Sequence, residues 1–205
     1  MKHDPLTDEV LALSLSEIAA LSARATRGAG RNWGEAEEAA EAACWLARAG
    51  LDWAGALLEV LQHPAPQTDC ALRIGIALAD AAALSSPTRN AHLATSSPCF
   101  LLPFVARAAD QTGQKIRLTV ADTQVVLAPG ACPLIIGPIC ISRQARVTIT
   151  TDQHDSPPCP AWPQTHHGAI RATEYAQLTQ LMMAFTVPTS AHSQAGAGAQ
   201  EDDND

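Results

Sequence analysis

Three arginines stand among three glycines in the stretch RATRGAGRNWGEAEEA, residues 24–39. Guanidinium groups beside a helix N-terminus can bind phosphate or another anion, so Arg24, Arg27 and Arg31 are candidate anion-binding residues. The alternative is a turn between two helices, in which glycine ends the first helix and Asn32 begins the second. We favour the turn, because the arginines would then lie near a helix C-terminus, where positive charge is favourable.

The spacing of these glycines differs by one residue from a dinucleotide-binding fingerprint. That fingerprint requires a strand directly before it and a helix after it. Here the pattern predicts a helix on both sides and no strand ahead of the glycines. Acidic residues at the start of the second helix should then face the arginines across an antiparallel helix pair. These acidic residues are Glu35, Glu37, Glu38 and Glu41.

A second candidate site lies in a proline-rich segment near residues 152–168. Carboxylate, imidazole and thiolate groups are the ligands that zinc uses, and the segment supplies Asp152, His154, Cys159 and His166. Their spacing matches no zinc motif. His166 is directly followed by His167, and two adjacent histidines are unfavourably placed to bind the same ion. We therefore predict no cofactor and keep a divalent metal at these four residues as the alternative.

Cys99 is the third candidate, because it follows Ser97 and Pro98 near a possible helix start. A helix N-terminus lowers the pKa of a thiol and can activate it as a nucleophile. Buried cysteine is more often inert, and we favour that interpretation. The sequence contains no hydrolase elbow, zinc-protease pair, Walker loop or EF-hand loop.

The end of the chain, TSAHSQAGAGAQEDDND, combines a Gly-Ala segment with acidic residues. A Gly-Ala backbone can enter a narrow groove, and the terminal carboxylates could pair with arginines on a partner subunit or on the same domain. The partner-binding residues would be Ser193, Gly196, Gly198, Asp203 and Asp205. Composition alone instead favours a flexible, solvated end.

Three helices are predicted in the first 63 residues. Ser14 with Glu17, and Asn32 with Glu35, form capping boxes, and Asp52 can cap a third helix. The helices should end at Gly28 or Gly30, near Arg48 before Gly50, and at His63. Aromatic residues should fill gaps that the abundant alanine leaves in the core. These aromatic residues are Trp33, Trp45 and Trp53.

Strands are predicted mainly after residue 114, where helical periodicity gives way to alternation. Residues 115–120 and 124–127 form a hairpin with its turn at Asp122 and Thr123, followed by short strands at 134–136 and 146–150. Before them, residues 70–84 fit either a helix capped by Asp69 or a buried strand. Residues 85–97 are predicted to form a loop. A helix with Pro103 in its first turn is predicted to end at Gly113. The last helix, 173–185, should carry Tyr175, Leu178, Leu181 and Met182 on one face.

The predicted fold class is therefore α+β, with an N-terminal helical bundle, a small mostly antiparallel sheet and a C-terminal helix. We place the bundle at 1–63, the sheet-containing part packed on it at 64–187, and a flexible acidic tail at 188–205. The bundle and the sheet-containing part should form one globular unit.

Composition restricts the classes of partner. The chain has 205 residues and a net charge of -8, so it lacks the positive charge that nucleic-acid binding requires. It shows no signal peptide and no apolar run long enough for a membrane span. We predict a cytoplasmic protein whose six cysteines are reduced, with no nucleic-acid or membrane partner.

The run SLSEIAALSARATRGAGRNWGEAEEAAEAACWLARAGLDW resembles the opening of an uncharacterised alphaproteobacterial family, domain of unknown function thirty-seven twenty-six. The end of the chain resembles that family's closing stretch, except at Gln200 and Glu201. The matching residues there are Pro188, Thr189, Ser193, Gly196, Gly198, Asp203, Asn204 and Asp205. The resemblance implies no activity, but it implies that the tail is ordered in some state.

With no catalytic pattern in the sequence, we predict a non-catalytic binding or accessory protein that acts in a complex through its tail. A protein partner or a second copy of the chain is compatible with this role. The alternative is an enzyme of unfamiliar type, with its site between the helical bundle and the sheet. Such a site would use Arg31, Cys99, His154 or His166.

Overall fold

The computed structural model describes residues 9–63, 68–84, 91–138, 144–152 and 157–185. Within these ranges lie six α-helices: α1 (Leu15–Gly28), α2 (Trp33–Arg48), α3 (Trp53–Gln62), α4 (Ala71–Ala83), α5 (Leu102–Thr112) and α6 (Ala172–Phe185). The same ranges contain seven strands: β1 (Val10–Ser14), β2 (Ala91–Ser96), β3 (Ile116–Val120), β4 (Thr123–Leu127), β5 (Leu134–Ile136), β6 (Gln144–Thr151) and β7 (His167–Arg171). The α+β prediction is confirmed.

All strand pairs in the described residues are antiparallel, as predicted. Strands β2, β6, β3, β4 and β5 form a five-stranded sheet in that order. The β3–β4 hairpin places Leu118 opposite Val125, and its turn lies at Ala121 and Asp122, one residue earlier than predicted. Helix α5 packs on this sheet, covering its apolar face.

The predicted helix caps are present. Ser14 Oγ accepts a hydrogen bond from Glu17 N at 3.3 Å, and Asn32 Oδ1 accepts one from Glu35 N at 2.8 Å. Asp52 Oδ1 accepts one from Gly55 N at 2.9 Å. Each bond satisfies a backbone N–H that has no partner within the helix, which is why these short sequence patterns fix the helix starts.

Strand β1 corrects the prediction that no strand precedes the glycine cluster. It pairs with β7 from Val10 opposite Arg171 to Ser14 opposite His167, forming a separate two-stranded sheet. Helix α1 still separates β1 from Gly28, so the dinucleotide arrangement does not arise. The strand was missed because its partner lies about 150 residues along the chain, beyond any local pattern.

The segment between α4 and α5 contains a second missed strand. Residues 85–97 were predicted as loop, but β2 pairs with β6 along its length. Of the two alternatives for residues 70–84, the helix is correct, because α4 spans Ala71–Ala83. Asp69 does not cap this helix as predicted. The N-cap residue is Cys70, and its side chain makes no cap hydrogen bond. Instead the Asp69 carbonyl accepts hydrogen bonds from Ser96 N at 3.0 Å and Thr95 Oγ1 at 3.1 Å, joining the start of α4 to β2.

Elements from both sides of residue 63 contribute to one hydrophobic core. Trp53 is fully buried there, and its Nε1 donates a hydrogen bond to the Ala169 carbonyl at 2.9 Å, which ties α3 to β7. Helix α6 packs on α1 through Leu178, Leu181 and Met182, whereas Tyr175, predicted on the same face, is exposed.

The boundaries given above for the bundle, the sheet-containing part and the tail remain predictions. Among the described residues, no helix has the length and apolar character that crossing a membrane requires.

Candidate functional site

The three arginines of the opening stretch lie in different environments. Arg31 is only 1% exposed, and its Nη2 donates to the carbonyls of Val60 at 3.2 Å and His63 at 3.0 Å. Arg24 is exposed on α1. Arg27 lies over two aromatic rings and donates to the Arg31 carbonyl. Arg31 therefore anchors the α1–α2 turn to the end of α3, and the anion site stays a prediction.

The acidic residues of α2 have partners on several elements. Glu35 lies 3.8 Å from Arg31 Nη1 and 2.6 Å from Arg73 Nε of α4. Glu38 and Glu41 each lie 2.8 Å from the guanidinium of Arg107 on α5. Arg31 lies between α1 and α2, only four residues before Glu35, so none of the ion pairs described here joins the two helices as predicted. The other partners of these acidic residues come from α4 and α5, which also pack against α2.

Two of the four metal candidates, Asp152 and Cys159, make side-chain contacts with other parts of the structure. Asp152 lies 2.8 Å from Arg117 Nη2, and Cys159 Sγ donates to the Val126 carbonyl at 3.5 Å. His166 is exposed ahead of β7, and His154 lies outside the described residues. Within those residues, no group of three or more histidine, cysteine, aspartate or glutamate side chains could hold a metal ion. The divalent metal remains a prediction.

Cys99 lies in a short 3₁₀ turn, Pro98–Leu101, beside a cavity between the helices and the five-stranded sheet. The cavity is apolar, with a volume of about 40 Å³, and Leu51, Leu118 and Val125 line it with Cys99. Small-molecule sites commonly enclose about 300–1,000 Å³. The space between the helical bundle and the sheet, where an enzyme site was the alternative prediction, is therefore nearly filled by side chains at this cavity.

We expect Cys99 to be unreactive in the folded protein. Removal from water, together with the nearby charges of Asp52 and Glu59, raises the pKa of its thiol to about 12. At pH 8 alkylation by iodoacetamide should be more than about a hundredfold slower than in the urea-unfolded chain, because only the thiolate reacts. Mass spectrometry of the Cys99 peptide gives both rates. Comparable rates in the two states would show that the thiol is activated or exposed.

An aromatic patch lies where α1, α2 and α6 meet at the surface, formed by Arg27, Trp33 and Phe185. Trp33 is 64% exposed and Phe185 is 39% exposed. Their rings meet edge to face with centroids 5.7 Å apart and planes at 86°. The Arg27 guanidinium lies 4.6 Å from the Trp33 ring centroid and 5.1 Å from that of Phe185. The three side chains therefore form a continuous surface that combines aromatic rings with one positive charge.

The helix ends place these side chains together. Trp33 directly follows the Asn32 cap, Arg27 lies in the last turn of α1, and Phe185 ends α6. Sequence reasoning assigned Trp33 to the core, which is wrong, because its side chain projects beyond the helix packing. It also missed Phe185, since nothing local indicates that the end of α6 reaches the α1–α2 turn.

The predicted tail residues lie outside the described residues. Ser193, Gly196, Gly198, Asp203 and Asp205 follow α6 in the sequence.

Comparison with known proteins supports the family resemblance in the N-terminal part. The model of the family described as "Protein of unknown function (DUF3726)" matches residues 13–95, which is less than half of the chain. The match includes Arg27 and Trp33 but neither Phe185 nor the tail, and that family's description assigns no activity. No curated protein and no solved structure matches the chain significantly.

Proposed function

We propose that the protein is a non-catalytic binding protein that works within a complex and contacts a protein partner through the aromatic patch. The observation that carries this proposal is the exposure of Trp33, at 64%, beside Phe185 and Arg27. Tryptophan, phenylalanine and arginine are enriched at protein interfaces, where a few such residues supply most of the binding energy.

The chemistry of the patch indicates the kind of partner. The two rings offer apolar contact area, and Arg27 supplies a cation already oriented over them. Arg24, exposed and one turn earlier on α1, adds a second positive charge near the same helix end. A partner segment that carries an apolar side chain next to a carboxylate would match this surface.

The tail fits the same role. It follows α6 in the sequence, and the last residue of α6, Phe185, belongs to the aromatic patch. We propose that Ser193, Gly196, Gly198, Asp203 and Asp205 extend the contact made by the patch. A Gly-Ala backbone permits close approach, and the carboxylates allow pairing with basic groups of the partner.

The test is affinity capture by the full-length tagged protein from cells of the source organism, with partners quantified by mass spectrometry. Trp33→Ala should reduce capture of the specific partner by at least about tenfold, the effect of losing an interface hot spot. Deletion of residues 189–205 should reduce the same partner. The purified partner should then bind the wild-type chain and bind the Trp33→Ala variant more weakly.

Leu84→Ala is the matched control, because Leu84 is an apolar residue, 81% exposed directly after α4, and does not belong to the patch. It should leave capture unchanged, and thermal melting should show that both variants remain folded. Self-association that Trp33→Ala abolishes would identify the partner as a second copy of this chain. Equal capture by the wild-type chain and Trp33→Ala would overturn the proposal.

A further inference from the structure

A second surface feature is a cleft of about 440 Å³ at the start of the β1–β7 sheet. It lies between the last residue of α2, Arg48, the first residue of α1, Leu15, and the segment that leads into β7. That segment contributes Trp162, Gln164 and His166 to the lining. The volume is in the range of sites that bind small organic molecules.

Trp162 is held in a defined position in this cleft. Its ring meets Trp45 edge to face, with centroids 5.5 Å apart and planes at 82°, and the Arg48 guanidinium lies 4.9 Å from its centroid. The segment is fixed by a hydrogen bond from Leu15 N to the His166 carbonyl at 2.9 Å. The cleft is therefore largely preformed, so a ligand would bind without the cost of ordering its walls.

The lining of the cleft favours a negatively charged ligand. Arg48 is exposed, and none of the ion pairs among the described residues includes it. The lining residues include no carboxylate, while the Gln164 amide and the His166 imidazole can add hydrogen bonds. The remaining walls are largely apolar, which an inorganic anion would not use.

We propose that this cleft binds a small aromatic carboxylate. Its carboxylate would pair with Arg48, whose planar guanidinium can donate two parallel hydrogen bonds to it. Its ring would contact the apolar wall formed by Leu15 and Trp162. A single arginine matches the single charge of a carboxylate better than the higher charge of phosphate.

The test is a titration of the full-length protein with benzoate, followed by NMR at the indole N–H signals. The signal of Trp162, assigned with a Trp162→Phe variant, should shift and saturate. Benzamide has the same shape without the charge and should bind at least about tenfold more weakly, because charge-assisted hydrogen bonds are roughly twice as strong as neutral ones. Inorganic phosphate should also bind more weakly than benzoate.

Arg48→Gln should weaken benzoate binding by about tenfold or more, since it removes the charge and the paired donors. Arg146→Gln is the matched control, because Arg146 is an exposed arginine of β6 outside the cleft, and it should bind as the wild-type chain does. A shift that does not saturate, equal binding by Arg48→Gln, or tighter binding of phosphate would each overturn the proposal. The aromatic patch lies elsewhere, so these outcomes do not depend on the partner experiment.

Discussion

Gly28→Ala should lower the free energy of unfolding by about 3 kcal/mol, the upper range for overpacking a close contact. Helices α1 and α6 approach each other closely at Gly28. A Cβ atom there would lie 1.7 Å from the Leu181 carbonyl oxygen and 2.6 Å from its carbon. Both atoms belong to the backbone, so no change of side-chain rotamer can relieve the overlap, and α6 would have to move away from α1.

Denaturant unfolding followed by circular dichroism measures this loss. Gly34→Ala is the matched control, because a Cβ at Gly34 would meet its nearest atom, Asn32 Oδ1, at 3.6 Å, which is an ordinary contact. Gly34→Ala should leave stability unchanged or raise it by up to about 1 kcal/mol through helix propensity. Equal stability of the two variants would mean that Gly28 does not lie against the Leu181 backbone of α6.

The same substitution should affect the aromatic patch, because α6 holds Phe185 against Arg27 and Trp33. Movement of α6 would separate Phe185 from the two side chains contributed by α1 and α2. Partner capture by Gly28→Ala should therefore fall even at temperatures where the variant remains folded. Gly28 thus links helix packing to the surface that we propose for binding.

Local interactions explain which parts of the fold could be predicted from the sequence. The caps at Ser14, Asn32 and Asp52 involve residues three positions apart, so their patterns are complete within a few residues. The β3–β4 hairpin is similarly local. In contrast, β1 and β2 depend on partners far along the chain, and their own residues alternate too weakly to indicate a strand.

The candidate sites were harder to predict, because residue type alone does not determine the environment of a side chain. Trp33 and Trp53 look alike in sequence, yet one is exposed and the other fully buried. The contact of Trp45 with Trp162 joins residues from opposite halves of the chain. No alternation or capping pattern carries information about such contacts, which arise only when the helices and the β1–β7 sheet pack together.

Arg31→Ala should lower the free energy of unfolding by about 3 kcal/mol, because hydrogen bonds from charged groups contribute about 1.5–3 kcal/mol each when buried. The substitution would remove the donors to the carbonyls of Val60 and His63 at the end of α3. Glu35 would keep Arg73 as a partner, which limits the loss. Arg31→Lys should be intermediate, since it keeps the charge but cannot reproduce the planar set of donors.

Arg24→Ala is the matched control in the same stretch, because Arg24 is exposed and should change stability by less than about 0.5 kcal/mol. Denaturant unfolding of the three variants decides whether Arg31 is structural, and equal stability of Arg31→Ala and Arg24→Ala would contradict that role.

The wild-type chain and Arg24→Ala also test the predicted anion site. If phosphate raises the melting temperature of the wild-type chain and Arg24→Ala removes that increase, the arginines bind an anion together. If phosphate has no effect on either protein, the stretch is a turn whose buried arginine holds three helices in place.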